Sequence, residues 1–194
     1  MIATETLQES VLRNEKADKK RMHAYKLFSV AFSYPDKSFF ALFPALKKEK
    51  ETILLEYDTL FRAKHIWLYT TEFQAKHDFQ KSRMLADIMG FYRAFGVLPD
   101  RERPDAVSAE FEFMHYLIFK KIYSIEKKLE GFREKAEICI NAQKKFFNTH
   151  LYPGAKVIMQ KILSHKTKNF YNEIAREALS FLEDEKRENC LKDS

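Results

Sequence analysis

The stretch that decides the fold is Glu102–Leu129, ERPDAVSAEFEFMHYLIFKKIYSIEKKL. Its apolar residues Val107, Phe111, Met114, Ile118, Ile122, Ile125 and Leu129 stand four, three, four, four, three and four apart, the repeat of one helical face. Phe113, Tyr116, Leu117 and Phe119 add apolar surface to the other faces of the first turns. A helix that is apolar on more than one side has to be enclosed by neighbours, so the spacing predicts a central buried helix over about residues 105–130. Its beginning is acidic, with Glu102, Asp105, Glu110 and Glu112, and Pro104 suits a first helical position. Carboxylates there complement the partial positive charge of a helix start, and Asp105 reads as a helix cap.

Working outward, the same helical period recurs on both sides. Upstream, DKKRMHAYKLFSVAFSY from Asp18 is apolar along one broad face and ends before Pro35. Asp36 then caps a short helix carrying Phe39, Phe40, Leu42 and Phe43. Lys47 to Glu51 reads as a solvated turn. A third helix, ETILLEYDTLF, buries Ile53, Leu54, Tyr57, Leu60 and Phe61. Residues 62–80 have no clean period and read as a short helix or loop, after which Ser82 caps a helix that stops at Gly96. Downstream of Gly131, a helix over FREKAEICINAQKKFFNTH is broken at Tyr152, Pro153 and Gly154. AKVIMQKIL and NFYNEIAREALSFLEDE form the last helices.

Composition agrees with this reading. Only four Gly and five Pro occur in 194 residues, too few turn residues for a β-sandwich or barrel. The fold class is therefore all-α: one helical bundle over residues 1–194 around the central helix, with loose ends at 1–16 and 186–194. The N-terminus has no apolar run of signal-peptide length and the chain has none of membrane-spanning length, so the expectation is a soluble cytoplasmic protein without membrane insertion. Cys139 and Cys190 lie far apart, without zinc or redox spacing.

The chain has no Gly-rich phosphate loop, no GxSxG elbow, no HExxH and no cysteine cluster. The expectation is a protein that is not an enzyme and carries no cofactor. Glu112-x-x-His115 is half of the paired motif of di-iron bundles, but no second copy exists. The formal net charge of +6 is spread through the chain. It raises the alternative of a helical nucleic-acid-binding regulator, but basic residues alternate with acidic ones and no helix-turn-helix is recognisable, so no nucleic acid is expected as partner. Aromatic stripes such as Tyr57, Leu60 and Phe61 read by default as core; the acidic start of the central helix raises a second reading, an apolar groove suited to a ligand that is both apolar and cationic.

Three segments carry a resemblance to a known family. Glu102 to Met114, ERPDAVSAEFEFM, resembles the E-x-P-D-H-x-x-x-E-L-E-F-M signature of the TorD/DmsD/NarJ redox-enzyme maturation chaperones. Met89 to Gly96, MGFYRAFG, is similar to the helix that precedes that signature, and Glu56 to Phe61, EYDTLF, to the family's E-Y-x-x-L-F box. Asn169-Phe170-Tyr171, opening a last helix, also fits. Two departures stand out: Ala106 replaces the signature's His, and Arg62-Ala63-Lys64 replaces the Gly-Pro that commonly follows the box.

The resemblance implies a cytoplasmic chaperone, monomeric or homodimeric. It would bind the N-terminal leader, twin-arginine or NarJ-type, of the catalytic subunit of a molybdopterin oxidoreductase and delay its export or assembly until cofactor insertion. Carried onto this chain, the implied peptide-binding residues are Tyr57, Leu60, Phe61, Pro104 and Asp105. Glu102 and Glu110 join them as carboxylates that an arginine pair would meet.

Overall fold

The computed structural model describes the backbone of residues 2–191 apart from 101 and 167, and the side chains of 15–188 with the same two exceptions. Eight α-helices follow one another among the described residues: α1 (Ile2–Ala31), α2 (Lys37–Leu42), α3 (Lys50–Tyr57), α4 (Asp78–Ala94), α5 (Val107–Glu126), α6 (Phe132–Phe146), α7 (Tyr152–Ser164) and α8 (Phe170–Leu191). The fold is all-α, as the spacing predicts; an isolated bridge between Tyr69 and Ala106 is the extent of β-pairing among the described residues.

The decisive stretch is the axis of the bundle. Val107, Phe111, Met114, Leu117 and Ile118 of α5 are fully enclosed, and α5 lies chiefly against α1 and α6 while α7 packs on α8. Around Phe111 stand Tyr25, Phe28 and Phe32 of α1, and around Phe113 stand Tyr92, Phe95 and Phe146. Each such side chain contributes ~1.5–3 kcal/mol on burial, so this aromatic shell holds the axis in place. The enclosure is not complete: Phe119 and Tyr123 stack on one another at the surface.

Polar groups also cross this core. Asp18 of α1 accepts from Lys121 of α5 at 2.5 Å, and Arg21 forks onto Glu185 of α8 at 2.6 and 2.7 Å. The Tyr25 hydroxyl donates to the same Glu185 at 2.8 Å. Buried charges are tolerated because each has an opposite charge and hydrogen bonds in place, and the set ties α1, α5 and α8 into one register.

Several boundaries differ from the sequence reading. His77 caps α4, its ring nitrogen accepting from the Gln80 N–H, so the helix begins before Ser82. The chain does not break at Tyr152 to Gly154: a π-helical turn, Phe147–Leu151, joins α6 to α7, and Pro153 sits in the first turn of α7. α1 is helical from Ile2 and α8 through Leu191, so the loose ends expected at 1–16 and 186–194 are helical wherever they are described. Lys186 donating to Asn148 at 2.8 Å helps hold the last turns. Residues 1 and 192–194 lie outside the described residues.

Gly154 explains how α7 comes so close to the segment before α4. A Cβ there would stand 2.7 Å from the Thr70 backbone Cα and closer still to its Cβ. The Gln74 amide donates at 2.7 Å to the His150 carbonyl of the π-helical turn. Thr70–Phe73, a 3-10 turn, is thereby pinned beneath the start of α5.

Candidate functional site

The start of α5 is built by its neighbours rather than by a cap. Ala106 is the N-cap residue, so no side chain closes the helix end. Instead Val107 N–H donates to the Leu68 carbonyl at 2.8 Å and Thr70 N–H to the Asp105 carbonyl at 2.9 Å, stitching residues 68–70 to this turn. The Tyr92 hydroxyl donates to the Pro104 carbonyl at 2.7 Å. Pro104 is thus a turn residue ahead of the helix and not its first member.

Asp105 is fully enclosed and turned away from the helix end. Its carboxylate accepts from Arg103 Nε at 3.0 Å and Nη2 at 2.9 Å, and from the Thr71 hydroxyl at 2.5 Å. Arg103 also reaches Glu72 at 3.0 Å, which Lys81 shares at 2.5 Å, and its guanidinium lies 4.1 Å from the centre of the Tyr69 ring. Hydrogen bonding from Lys81, and then from Arg103, holds the Glu72 carboxyl below its usual range. Glu110 is equally enclosed, accepting from the Thr70 hydroxyl at 2.8 Å, with its second oxygen unpartnered. Burial, opposed by the Thr70 hydroxyl and reinforced by the Asp105 charge, pushes Glu110 well above the carboxylate range and favours its neutral form.

The expectation that Asp105 and Glu110 meet an incoming arginine is therefore corrected. The guanidinium that Asp105 needs is supplied by the chain's own Arg103, and neither carboxylate is open to solvent. Asp105 is not a helix cap either.

Directly above this buried layer lies a cleft of about 630 Å³. Ala106, Ser108 and Ala109 make its floor, and their small side chains are what leave it open. One wall comes from the end of α1, through Val30, Ser33 and Tyr34, and continues to Tyr57, Leu68 and Tyr69. The opposite wall is Val97, Leu98 and Pro99 with Phe113 and Tyr116. Asp100, Glu102 and Glu112 bring carboxylates to it. Lys26 holds both Glu112 oxygens at 2.9 Å, while the exposed Glu102 accepts from the Arg103 N–H at 2.9 Å and from the Tyr69 hydroxyl at 3.4 Å.

Of the residues singled out from sequence, Tyr57 and Glu102 line this cleft. Tyr57 is half-buried, and burial raises its hydroxyl to about 12, so it stays protonated and able to donate. Leu60 and Phe61 lie behind it in the core: the Phe61 ring packs at 4.8 Å on Tyr57 and at 5.1 Å on Tyr171. They position Tyr57 and do not reach the opening. The residues sequence reasoning missed are Tyr34, Tyr69, Leu98 and Asp100 in connecting segments, and Lys26 and Tyr116 on helix faces.

Glu112 and His115 do not form half of a metal centre. Glu112 is paired with Lys26, and His115 Nδ1 lies 2.9 Å from the Met22 carbonyl. No three His, Cys, Asp or Glu residues gather into a possible metal site among the described residues. Nor, among them, is any helix long and apolar enough to cross a membrane. The arrangement lends itself to holding a ligand: small residues, aromatic rings and carboxylates line one cleft.

Residues 38–155 match the family described as nitrate reductase delta subunit, more than half of the chain. The match covers Tyr57, Glu102 and the floor of the cleft, while the α1 wall lies outside it. No curated protein and no solved structure matches the chain.

Proposed function

Because the chain belongs to the nitrate reductase delta subunit family, non-catalytic chaperones of molybdoenzyme maturation, we propose that its cleft receives the N-terminal leader of a molybdopterin oxidoreductase subunit in the cytoplasm. The leader is held there until the cofactor is inserted. One observation supports this reading above the others: aromatic walls and carboxylates face a single opening over a floor of Ala106, Ser108 and Ala109.

The work asked of the cleft is modest. Apolar leader residues lie against Tyr34, Tyr57 and Tyr69, gaining about 25 cal/mol for each Å² removed from water. A leader arginine meets Glu102 with a charge-assisted hydrogen bond, worth less than the ~1.5–3 kcal/mol of a sheltered one because Glu102 is exposed. An occupied leader cannot engage a translocase or a partner subunit, so delay follows from occupancy and requires no bond to be made or broken. At Ala106 a methyl group stands where the family signature carries an imidazole, which leaves the floor wider and without a titrating ring.

Calorimetry with a synthetic leader of a molybdoenzyme subunit tests the reading. Tyr57→Ala is expected to weaken binding about tenfold or more, in line with the loss of an interface aromatic anchor. Glu102→Gln, an exposed change that leaves the fold alone, should weaken it several-fold at low salt and by less at high salt. Unchanged affinity in both variants, with unaltered circular dichroism, refutes this site.

A further inference from the structure

Beside the cleft, with Tyr34 as their common wall, lies a second depression of about 620 Å³ with the opposite charge. Its floor is apolar, from Pro35, Phe40, Ala41 and Leu54, and its cations are Lys37, Lys47 and Lys50. Asp36 is the acidic residue lining it, and its Oδ1 is engaged by the N–H groups of Ser38 and Phe39 at 2.8 and 3.2 Å as the cap of α2. Glu49 and Glu51, adjacent to Lys50 in sequence, do not line it. Among the described residues none of the three lysines is in an ion pair, whereas Lys26 in the first cleft is held by Glu112.

Three unpaired ammonium groups over an apolar floor attract a ligand that carries carboxylates on an apolar stem. Resting on the reading of the first cleft as a leader site, we infer that the bound segment is longer than that cleft and polar in its charge. Its cationic and apolar part lies by Glu102, and an acidic part crosses Tyr34 and ends on Lys37, Lys47 and Lys50. Opposite charges at the two ends admit the segment in one direction and oppose the reverse, which would set acid against acid and base against base. Tyr34, half-exposed, with its ring 5.4 Å from Tyr57 and the Arg62 guanidinium 5.2 Å from its centre, is the divide the segment passes over.

The experiment uses the full chain and five peptides. The first is an Arg-Arg pair followed by a mixed Leu-Ala run; the others extend it with a glutamate tract or a glutamine tract, placed at each end in turn. At one of the two ends the glutamate tract should tighten binding about tenfold over glutamine, or about 1.4 kcal/mol. The gain should vanish in Lys37→Glu/Lys47→Glu/Lys50→Glu and at high salt, while the unextended peptide binds both proteins alike. Equal binding of the glutamate and glutamine peptides at both ends, with the short peptide still bound, overturns this inference and leaves the first cleft standing. Failure of all five peptides to bind overturns both. Binding of duplex DNA that the lysine changes abolish, without any preference for glutamate, also overturns it and assigns the lysines to phosphate.

Discussion

Replacing Arg103 with methionine isolates the contact that seals Asp105. In the native chain the Asp105 carboxylate is fully enclosed and satisfied by two Arg103 nitrogens and one Thr71 hydroxyl. Methionine keeps most of the apolar stem and removes the charge, which leaves a buried carboxylate with a single donor. Removing one partner of a buried pair costs about 3–5 kcal/mol. The Arg103 side chain is 36% exposed, so water entering from its side brings the expected loss down to about 2–3 kcal/mol. Asp105→Asn alone should cost less, because it leaves no unpaired charge inside and Arg103 keeps Glu72. The double variant should recover part of the loss, with a coupling energy of about 1–2 kcal/mol. Urea unfolding followed by circular dichroism gives all four corners of the cycle. A loss below about 0.5 kcal/mol for Arg103→Met, within the range of neutral surface changes, or a coupling near zero, refutes a structural role for the pair. The same variants settle the corrected assignment: Asp105→Asn that leaves stability intact but weakens leader binding about tenfold would return this carboxylate to the ligand.

Glu110 offers a test by pH. Its folded-state proton affinity is raised by burial above the ordinary 4.5, so the folded state holds a proton that the unfolded chain releases, and stability falls as pH rises from about 4.5 toward the folded value. Glu110→Gln, which keeps the acceptor for Thr70, should flatten that decline and stabilise the protein at alkaline pH. Denaturation midpoints with the same slope in both proteins from mildly acid to alkaline pH refute it. Gly154→Ala should cost about 1–3 kcal/mol by overpacking, since the obstacle is the Thr70 backbone and Cβ, which cannot swing aside. A melting temperature unchanged within error would show that α7 and the Thr70 turn can separate freely.

The fold was legible because its signal is redundant: six apolar positions on α5, from Val107 to Ile125, agree with one another, and a bundle must form around them. The internal pairing of Asp105 was not, because a carboxylate ahead of a helix resembles a cap until the arginine two residues earlier is seen to claim it. The start of α4 was missed for a related reason, since a His77 ring nitrogen serves where a hydroxyl is the usual sign. The buried pairs Asp18–Lys121 and Arg21–Glu185 join residues more than a hundred apart along the chain, a distance that the local contact of Asp18 with Arg21 does not reveal. The site was half legible. Tyr57 and Glu102 lie in motifs, whereas Tyr34, Tyr69 and Asp100 come from connecting segments with no period to read. Leu60 and Phe61 share a motif with Tyr57, but helical geometry turns them to the core.

The single residue pair that bridges Tyr69 to Ala106, with the hydrogen bonds on either side of it, gives the cleft one rigid jaw. Its aromatic wall at Leu68 and Tyr69 and its floor at Ala106 are riveted together, so neither yields alone to a bulky guest. Whatever breadth a guest demands has to come from the facing jaw, the span beyond Gly96, whose φ of +71° turns the chain out of α4. On the leader-binding reading proposed above, the range of guests is set by how far Val97, Leu98 and Pro99 can be pushed aside, and not by any loosening at the helix that anchors the bundle.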